Sequence, residues 1–465
     1  MKLLVGTRAR AASAFLAALG LAAAAAGPAA AASAPTTPTE LFNAYQYCST
    51  DPNAPTYVSS LGGLEVEGLA QDADTSDFQF TMQYQLWPVS DPTQITSLSN
   101  AYANPGFESG VNVPQADLLD GQVYAWQAQA VGSAGSSGWS STCFIAIDNT
   151  RPDAVPTISS ANYPAWQQDP AGTPIQITLG SNGVGDVAGY QFSWNESMSV
   201  VGSDIGQYGI PVPENPWNVQ PGVNFNGDDG FVKAPTLGGP VTVDLIPPQD
   251  SGLVILTAES LDRADNPSGT TNYWIFLKPD APTVTLQGNE PKLGVQTPYL
   301  LTPDPGIEAA SPVTSYQVVE ENDTGQQELT IPADSNGDAT LHVTDDSAWG
   351  VSFQVASVSA NGWVSQGQSS SIDASPAITS DVYPGWGMGG GAGVSGTFAF
   401  SSPVKGIASF IYTINGGPAT TVHAANGQAQ IVFTPPASGW YDLEVTAVAK
   451  DGTQLFPNDY YFGVN

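Results

Sequence analysis

Histidine, cysteine and cationic side chains are all scarce in this chain. Its 465 residues hold two His, two Cys and ten Lys plus Arg, against 43 Asp plus Glu. His342 and His423 are too few for a zinc site of two or three imidazoles. Each stands near an Asn-Gly pair in a strand-like run and reads as a strand residue. No G-x-S-x-G elbow is present to carry the nucleophile of a Ser-His-Asp hydrolase. A formal net charge of −33 repels polyanions, which excludes nucleic acid and anionic membranes as partners. Only 11% of residues are charged while 10% are aromatic, so the acidity is not that of a disordered tail. Sustained 3.6-residue apolar periodicity is also missing beyond the first residues, and long amphipathic helices are not expected.

The first residues read as an export signal. Lys2, Arg8 and Arg10 precede an uncharged run from Ala11 to Ala26, and Ala30-Ala31-Ala32 offers small residues for cleavage after Ala32. Residues 1–32 are therefore expected to be a secretory leader, and the run is too short and Ala-rich for a membrane anchor. The end of the chain, Tyr460 to Asn465, carries no hydrophobic tail. A secreted, extracellular product is expected, with no membrane insertion after cleavage. In such an oxidising compartment the isolated pair Cys48 and Cys143 reads as one disulfide.

Alternation with period two is frequent, as in Phe78 to Tyr84, Val123 to Ala128, Val351 to Val355 and Leu443 to Val448, each bounded by turn residues. That is the pattern of short antiparallel strands with one buried face. The chain also repeats itself. Ile158-Ser159-Ser160-Ala161-Asn162-Tyr163-Pro164-Ala165-Trp166 matches Ile378-Thr379-Ser380-Asp381-Val382-Tyr383-Pro384-Gly385-Trp386. The same offset pairs the run around Tyr190 with that around Phe410. A more diverged copy fits between, opening at Pro282. Asn226-Gly227, Asn336-Gly337 and Asn426-Gly427 read as equivalent tight turns between strands. With short Pro-rich linkers, the expected modules are 34–152, 153–280, 281–374 and 375–465, all β-sandwiches in a beads-on-a-string array.

These runs resemble the Ig-like and fibronectin type III-like modules of secreted repeat proteins from high-GC Gram-positive bacteria. Gly252 to Leu256, the turn Asp262-Arg263-Ala264-Asp265-Asn266 and Asn272 to Phe276 are similar to the closing strands of such modules, with Asp265 where Gly is usual. Asp120 to Trp126 and Gly138 to Phe144 resemble the same strands in the first module. The resemblance implies all-β antiparallel sandwiches that serve as spacers, adhesion units or carbohydrate-binding accessories. It carries no catalytic residues.

Candidate sites are accordingly few. Tyr163, Trp166, Tyr383 and Trp386 lie in Gly- and Pro-rich settings, where flat rings could stack on sugars or anchor a protein. The competing reading has the Tyr-Pro pairs closing the sandwich ends and each Trp covering a rim. Asp334, Asn336 and Asp338 place oxygen ligands at alternate positions, the spacing of a Ca²⁺ loop, although Ala339 stands where such a loop requires Gly. A plain turn is the first reading of them, with weak Ca²⁺ binding left open and no other cofactor expected. No module shows an insertion long enough to wall a cleft. The expected function is non-catalytic adhesion, spacing or binding of polysaccharide, cell wall or a surface protein. The rival is a polysaccharide-active hydrolase using two of the many carboxylates, or its accessory module.

Overall fold

A computed structural model describes residues 33–465 apart from 73–77, 200, 202, 214, 249–251, 289–290, 292–293, 323–324, 345–349 and 403. The leader expected at residues 1–32 lies outside the described residues. Alternating runs become strands whose apolar side faces inward. Phe80–Pro88 buries Phe80, Met82, Tyr84 and Leu86 in turn, and Ile175–Gly180 buries Ile175, Ile177 and Leu179. Because strand side chains alternate across the sheet, each run can supply one wall of a two-layer core.

Four pairs of facing sheets follow one another along the chain. In the first, Gln46–Tyr47, Thr39–Asn43, Leu64–Leu69 and Glu108–Val113 form one sheet. Thr56–Val58, Cys143–Ile147, Val123–Gly132, Phe80–Pro88 and Thr96–Ala103 form the main path of the other. The same plan recurs over strands spanning 157–277, 283–372 and 377–464. The architecture is a tandem array of Ig-like and fibronectin type III-like antiparallel sandwiches.

Two devices repeat with the plan. A short entry strand pairs in parallel with the closing strand in three modules: Thr56–Val58 with Cys143–Ile147, Gln168–Asp169 with Thr271–Leu277, and Met388–Gly389 with Asn458–Val464. The third module has no such pair among the described residues. Second, a buried tyrosine in the central strand donates its hydroxyl to a carbonyl of the opposite layer. Tyr84 bonds Ser109 O, Tyr190 bonds Gly239 O at 2.9 Å, and Tyr316 bonds Gly337 O at 2.7 Å. The fourth module places buried Phe410 at that position and lacks the hydroxyl. Each bond satisfies a polar group that burial would otherwise penalise, a net gain of about 1 kcal/mol.

Cys48 and Cys143 are joined, and they fasten the segment before the parallel entry strand to the closing strand. The expected equivalence of the three Asn-Gly pairs does not hold. Only Asn426 and Gly427 both have positive φ, at 53° and 74°, as a tight two-residue turn requires. Asn336-Gly337 precedes the strand Ala339–Thr344 and Asn426-Gly427 precedes Gln428–Phe433, each in its module's smaller sheet. Asn226-Gly227 instead leads into Asp229–Lys233, which belongs to the larger sheet. In the second module the corresponding connection is the turn Thr236 to Gly239, just before Val241–Leu245.

One short helix, Pro305–Ala310, also departs from expectation. Asp304 caps it by accepting from the amides of Gly306 and Ile307, with Pro305 at the first helical position. Six residues are too few to show a helical period. No helix of the described residues is long and apolar enough to cross a membrane.

Candidate functional site

The Tyr-Pro-x-Trp motif divides its labour between its two rings, and this corrects the grouping of all four aromatics as ligand-stacking candidates. Tyr163 is 2% exposed and Tyr383 0%. Tyr163 donates to Pro170 O and Thr173 O, and its own carbonyl accepts from Tyr273 in the closing strand at 2.9 Å. Tyr383 donates to Gly391 O and Val394 O, and its carbonyl accepts from Tyr460 at 2.8 Å. Both tyrosines are structural bolts, held inside because an apolar ring with a satisfied hydroxyl suits the sandwich end.

The tryptophans behave in the opposite way. Trp166 is 72% exposed and Trp386 77%. Each is the third residue of a tight turn closed by a backbone bond, from Gln167 to Pro164 O and from Gly387 to Pro384 O. Each has positive φ, 65° and 58°, where glycine is the easy choice and a bulky side chain is strained. Trp166 stacks on Trp274 at 5.8 Å between centroids, with Phe276 at the same distance. Trp386 lies 4.8 Å from Tyr461. Around Trp386, the exposed Met388 and Trp440 flank Gly463, whose missing side chain leaves room for Met388. The second and fourth modules thus carry a flat aromatic platform on the same edge of the same sheet.

Asp334 is occupied as a turn cap. Its Oδ1 accepts from the amides of Asn336 and Asp338 at 2.8 and 3.1 Å. Asp334, Asn336 and Asp338 form a turn, closed by the Gly337 amide on Asp334 O at 3.1 Å and the Asp334 amide on Asp338 O at 2.7 Å. His342 and His423 both lie in strands, Ala339–Thr344 and Thr420–His423.

Sequence reasoning missed an insertion. Between Ser193 and Asp229 the second module carries an excursion that includes the two-stranded pair Ser203–Ile205 and Pro211–Pro213 and the turn Gln207–Gly209. It reaches back to the first module. Tyr208 meets Phe107 edge-to-face at 5.6 Å, and a side chain at Gly209 would touch Glu108 at 3.6 Å. Beneath this contact, Oε2 of Glu67 and both carboxylate oxygens of Glu108 are buried without a hydrogen-bond partner. Burial pushes Glu67 up to about 7 and Glu108 up to about 9, with neighbouring carboxylates adding to both. The Glu108 side chain lies against the turn Gln207–Gly209.

The same insertion walls a cavity of about 710 Å³ at the junction of the first two modules. Tyr45, Tyr47 and Tyr57 come from the first module, Pro213 and Trp217 from the insertion, and Lys233, Arg263 and Asp265 from the second module's body. The junction itself is fastened by polar contacts. Tyr45 donates to Asp265 Oδ2 at 2.8 Å, and Asn266 donates to Asp148 O at 2.9 Å. The Arg263 guanidinium lies 3.7 Å above the centre of the Tyr57 ring.

No family model matches the chain, and no curated protein matches it significantly. Among solved structures it is similar to the FN1–FN3 domains of chicken CNTN1. The identity is 10% and the TM-score 0.19, over 73% of this chain and 99% of that one.

Proposed function

We propose that the chain is a secreted, non-catalytic array that binds polysaccharide or cell wall through the aromatic platforms of its second and fourth modules. The observation that carries this reading is the placement of Trp166 and Trp386. A bulky ring held at positive φ and left exposed costs the fold energy, and strain of this kind collects at functional positions. The fold does not need the ring there, because Tyr163 and Tyr383 already close the sandwich ends. Flat exposed rings stack on the apolar faces of sugars, and two platforms on one chain raise the apparent affinity for a repeating polymer.

Co-sedimentation with insoluble polysaccharides and isolated cell walls, with reducing sugar assayed in the supernatant, tests the proposal. Depletion without sugar release is the expected result. Trp166→Ala and Trp386→Ala should each weaken it, and the double variant should lose more than either. Sugar release would instead favour a hydrolase. Neither depletion nor release would leave a spacer or a protein-binding adhesin.

A further inference from the structure

We infer that the platform of the fourth module selects an amine-bearing sugar, whose protonated amino group is held between the rings and the carboxylates beside them. This rests on the platform reading above and adds the ligand's charge to it. Strand register makes the two platforms comparable position by position. Gln168 pairs with Phe276 as Met388 pairs with Gly463. Ile255 then pairs with Trp274 and Thr257 with Asn272, where Asp442 pairs with Tyr461 and Glu444 with Asp459. Beside its rings the second module therefore carries Ile255, Thr257 and Asn272. At the same three places the fourth carries Asp442, Glu444 and Asp459. The contrast arises within one chain on one scaffold, so it is a local feature and not the general acidity of the protein.

The three carboxylates share the outward face with the rings, because Tyr441, Leu443 and Phe462 take the alternate, buried positions. Glu444 and Asp459 are exposed and stand directly opposite each other, and like charges so placed destabilise a sheet. Asp442, Asp459 and Glu444 together push the Tyr461 hydroxyl above its ordinary value. Burial and Asp459 raise the Asp442 carboxyl in the same way. Among the described residues, the charges that bear on Asp442 and Tyr461 are all negative. The second module shows that the fold does not require this crowding, and a bound cation relieves it.

The rings decide the kind of cation. Trp386 and Trp440 are exposed, and Trp386 lies 4.8 Å from Tyr461. Flat exposed rings cover the apolar faces of a sugar and also attract an ammonium group. The carboxylates accept its N–H bonds. N-acetylation of the sugar would remove the charge and leave the carboxylates unanswered. The uncharged surroundings of Trp166 and Trp274 suit neutral units of the same polymer.

Calorimetric titration tests the inference on the full mature chain carrying Trp166→Ala, so that the fourth platform alone reports. The probe is a short glucosamine oligomer with its amines protonated. Its N-acetylated counterpart of equal length and an oligolysine of equal charge are the comparators. The amine form should bind at least about tenfold more tightly than either, the worth of one hydrogen bond to a charged group. High salt should narrow the gap. Glu444→Gln with Asp459→Asn should erase the gap and leave the affinity for the N-acetylated oligomer unchanged. Both side chains are exposed and the change removes a repulsive pair, so the melting temperature should not fall. Trp386→Ala should weaken both oligomers. Equal binding of the two oligomers, weakened by Trp386→Ala, would overturn the charge selection and leave the platform reading standing. Amine binding indifferent to Trp386 would overturn the site and assign the attraction to the chain's overall charge. Binding of neither oligomer would overturn the amino sugar, and co-sedimentation then shows whether the platform reading falls with it. Tighter binding of the oligolysine, lost with Glu444→Gln and Asp459→Asn, would overturn the sugar and assign a basic peptide.

Discussion

The Tyr45 hydroxyl donates to Asp265 across the junction of the first two modules, at 2.8 Å. Asp265 sits at φ 59°, a left-handed position where the modules this chain resembles carry glycine. The carboxylate explains the exchange: glycine would relieve the backbone but could not reach Tyr45 or Gln46.

Removing that hydroxyl should loosen the junction and little else. Tyr45→Phe is expected to cost about 1 kcal/mol of interface stability, the usual net value of such a bond. Small-angle scattering or a distance probe across the two modules would show a broader distribution. An unchanged distribution would mean the insertion alone holds the junction.

The insertion contact should weaken as pH rises. Glu67 and Glu108 have folded-state values near 7 and 9 against an ordinary 4.5. Between pH 4.5 and 9 the native chain therefore holds more protons than the unfolded chain, so stability falls with pH. It is complete below about pH 4.5 and is lost through 7 and then 9. Glu40 and Glu65 add negative charge nearby and push the same way. Scanning calorimetry at pH 5 and pH 9 should give the higher Tm at pH 5. Glu67→Gln with Glu108→Gln should flatten the difference, and a Tm that rises with pH would refute the assignment.

The two rings of the repeated motif should respond in opposite directions. Tyr383→Ala removes a fully buried ring, a change that costs about 3–5 kcal/mol for large aromatics in cores. Trp386→Gly removes an exposed ring and relieves a left-handed backbone, with an expected gain of about 1 kcal/mol. A strongly destabilised Trp386→Gly would show that the ring serves the fold and would undercut the platform.

Reduction should affect one module. The Cys48–Cys143 bond closes a loop with a sequence separation of 95. In the chain-entropy model a loop of that length stabilises by about 4–5 kcal/mol. With reductant present, one unfolding transition of the array should move down while the others hold.

What the sequence revealed follows from how local each signal is. Alternation in Phe80–Pro88 or Gly439–Ala449 reports burial directly, so the sandwiches were legible. Cys48 and Cys143 had no other partners to choose from. Tyr163 and Trp166 were not separable, because two aromatics in one Pro-rich loop look alike until the turn decides which points inward. Asn226-Gly227 misled because the insertion before it shifts which strand follows. Glu65 and Glu67 sit on the polar side of the alternating strand Leu64–Leu69, where nothing in the sequence marks burial. The turn at Tyr208 comes from a distant segment and packs on Phe107 beside Glu108, a contact no local pattern announces. The departure at Asp265 was visible, but its partner Tyr45 lies 220 residues away.

The parallel pairing of entry and closing strands has a mechanical consequence. Pulling the two ends of a module draws such strands apart along their length, so all their bonds are sheared at once and none is peeled singly. The first, second and fourth modules have this arrangement, and the first adds a covalent link beside it. The third lacks it among the described residues. Under tension the array should therefore lengthen first at its third module, which makes that module the extensible segment between stiffer neighbours.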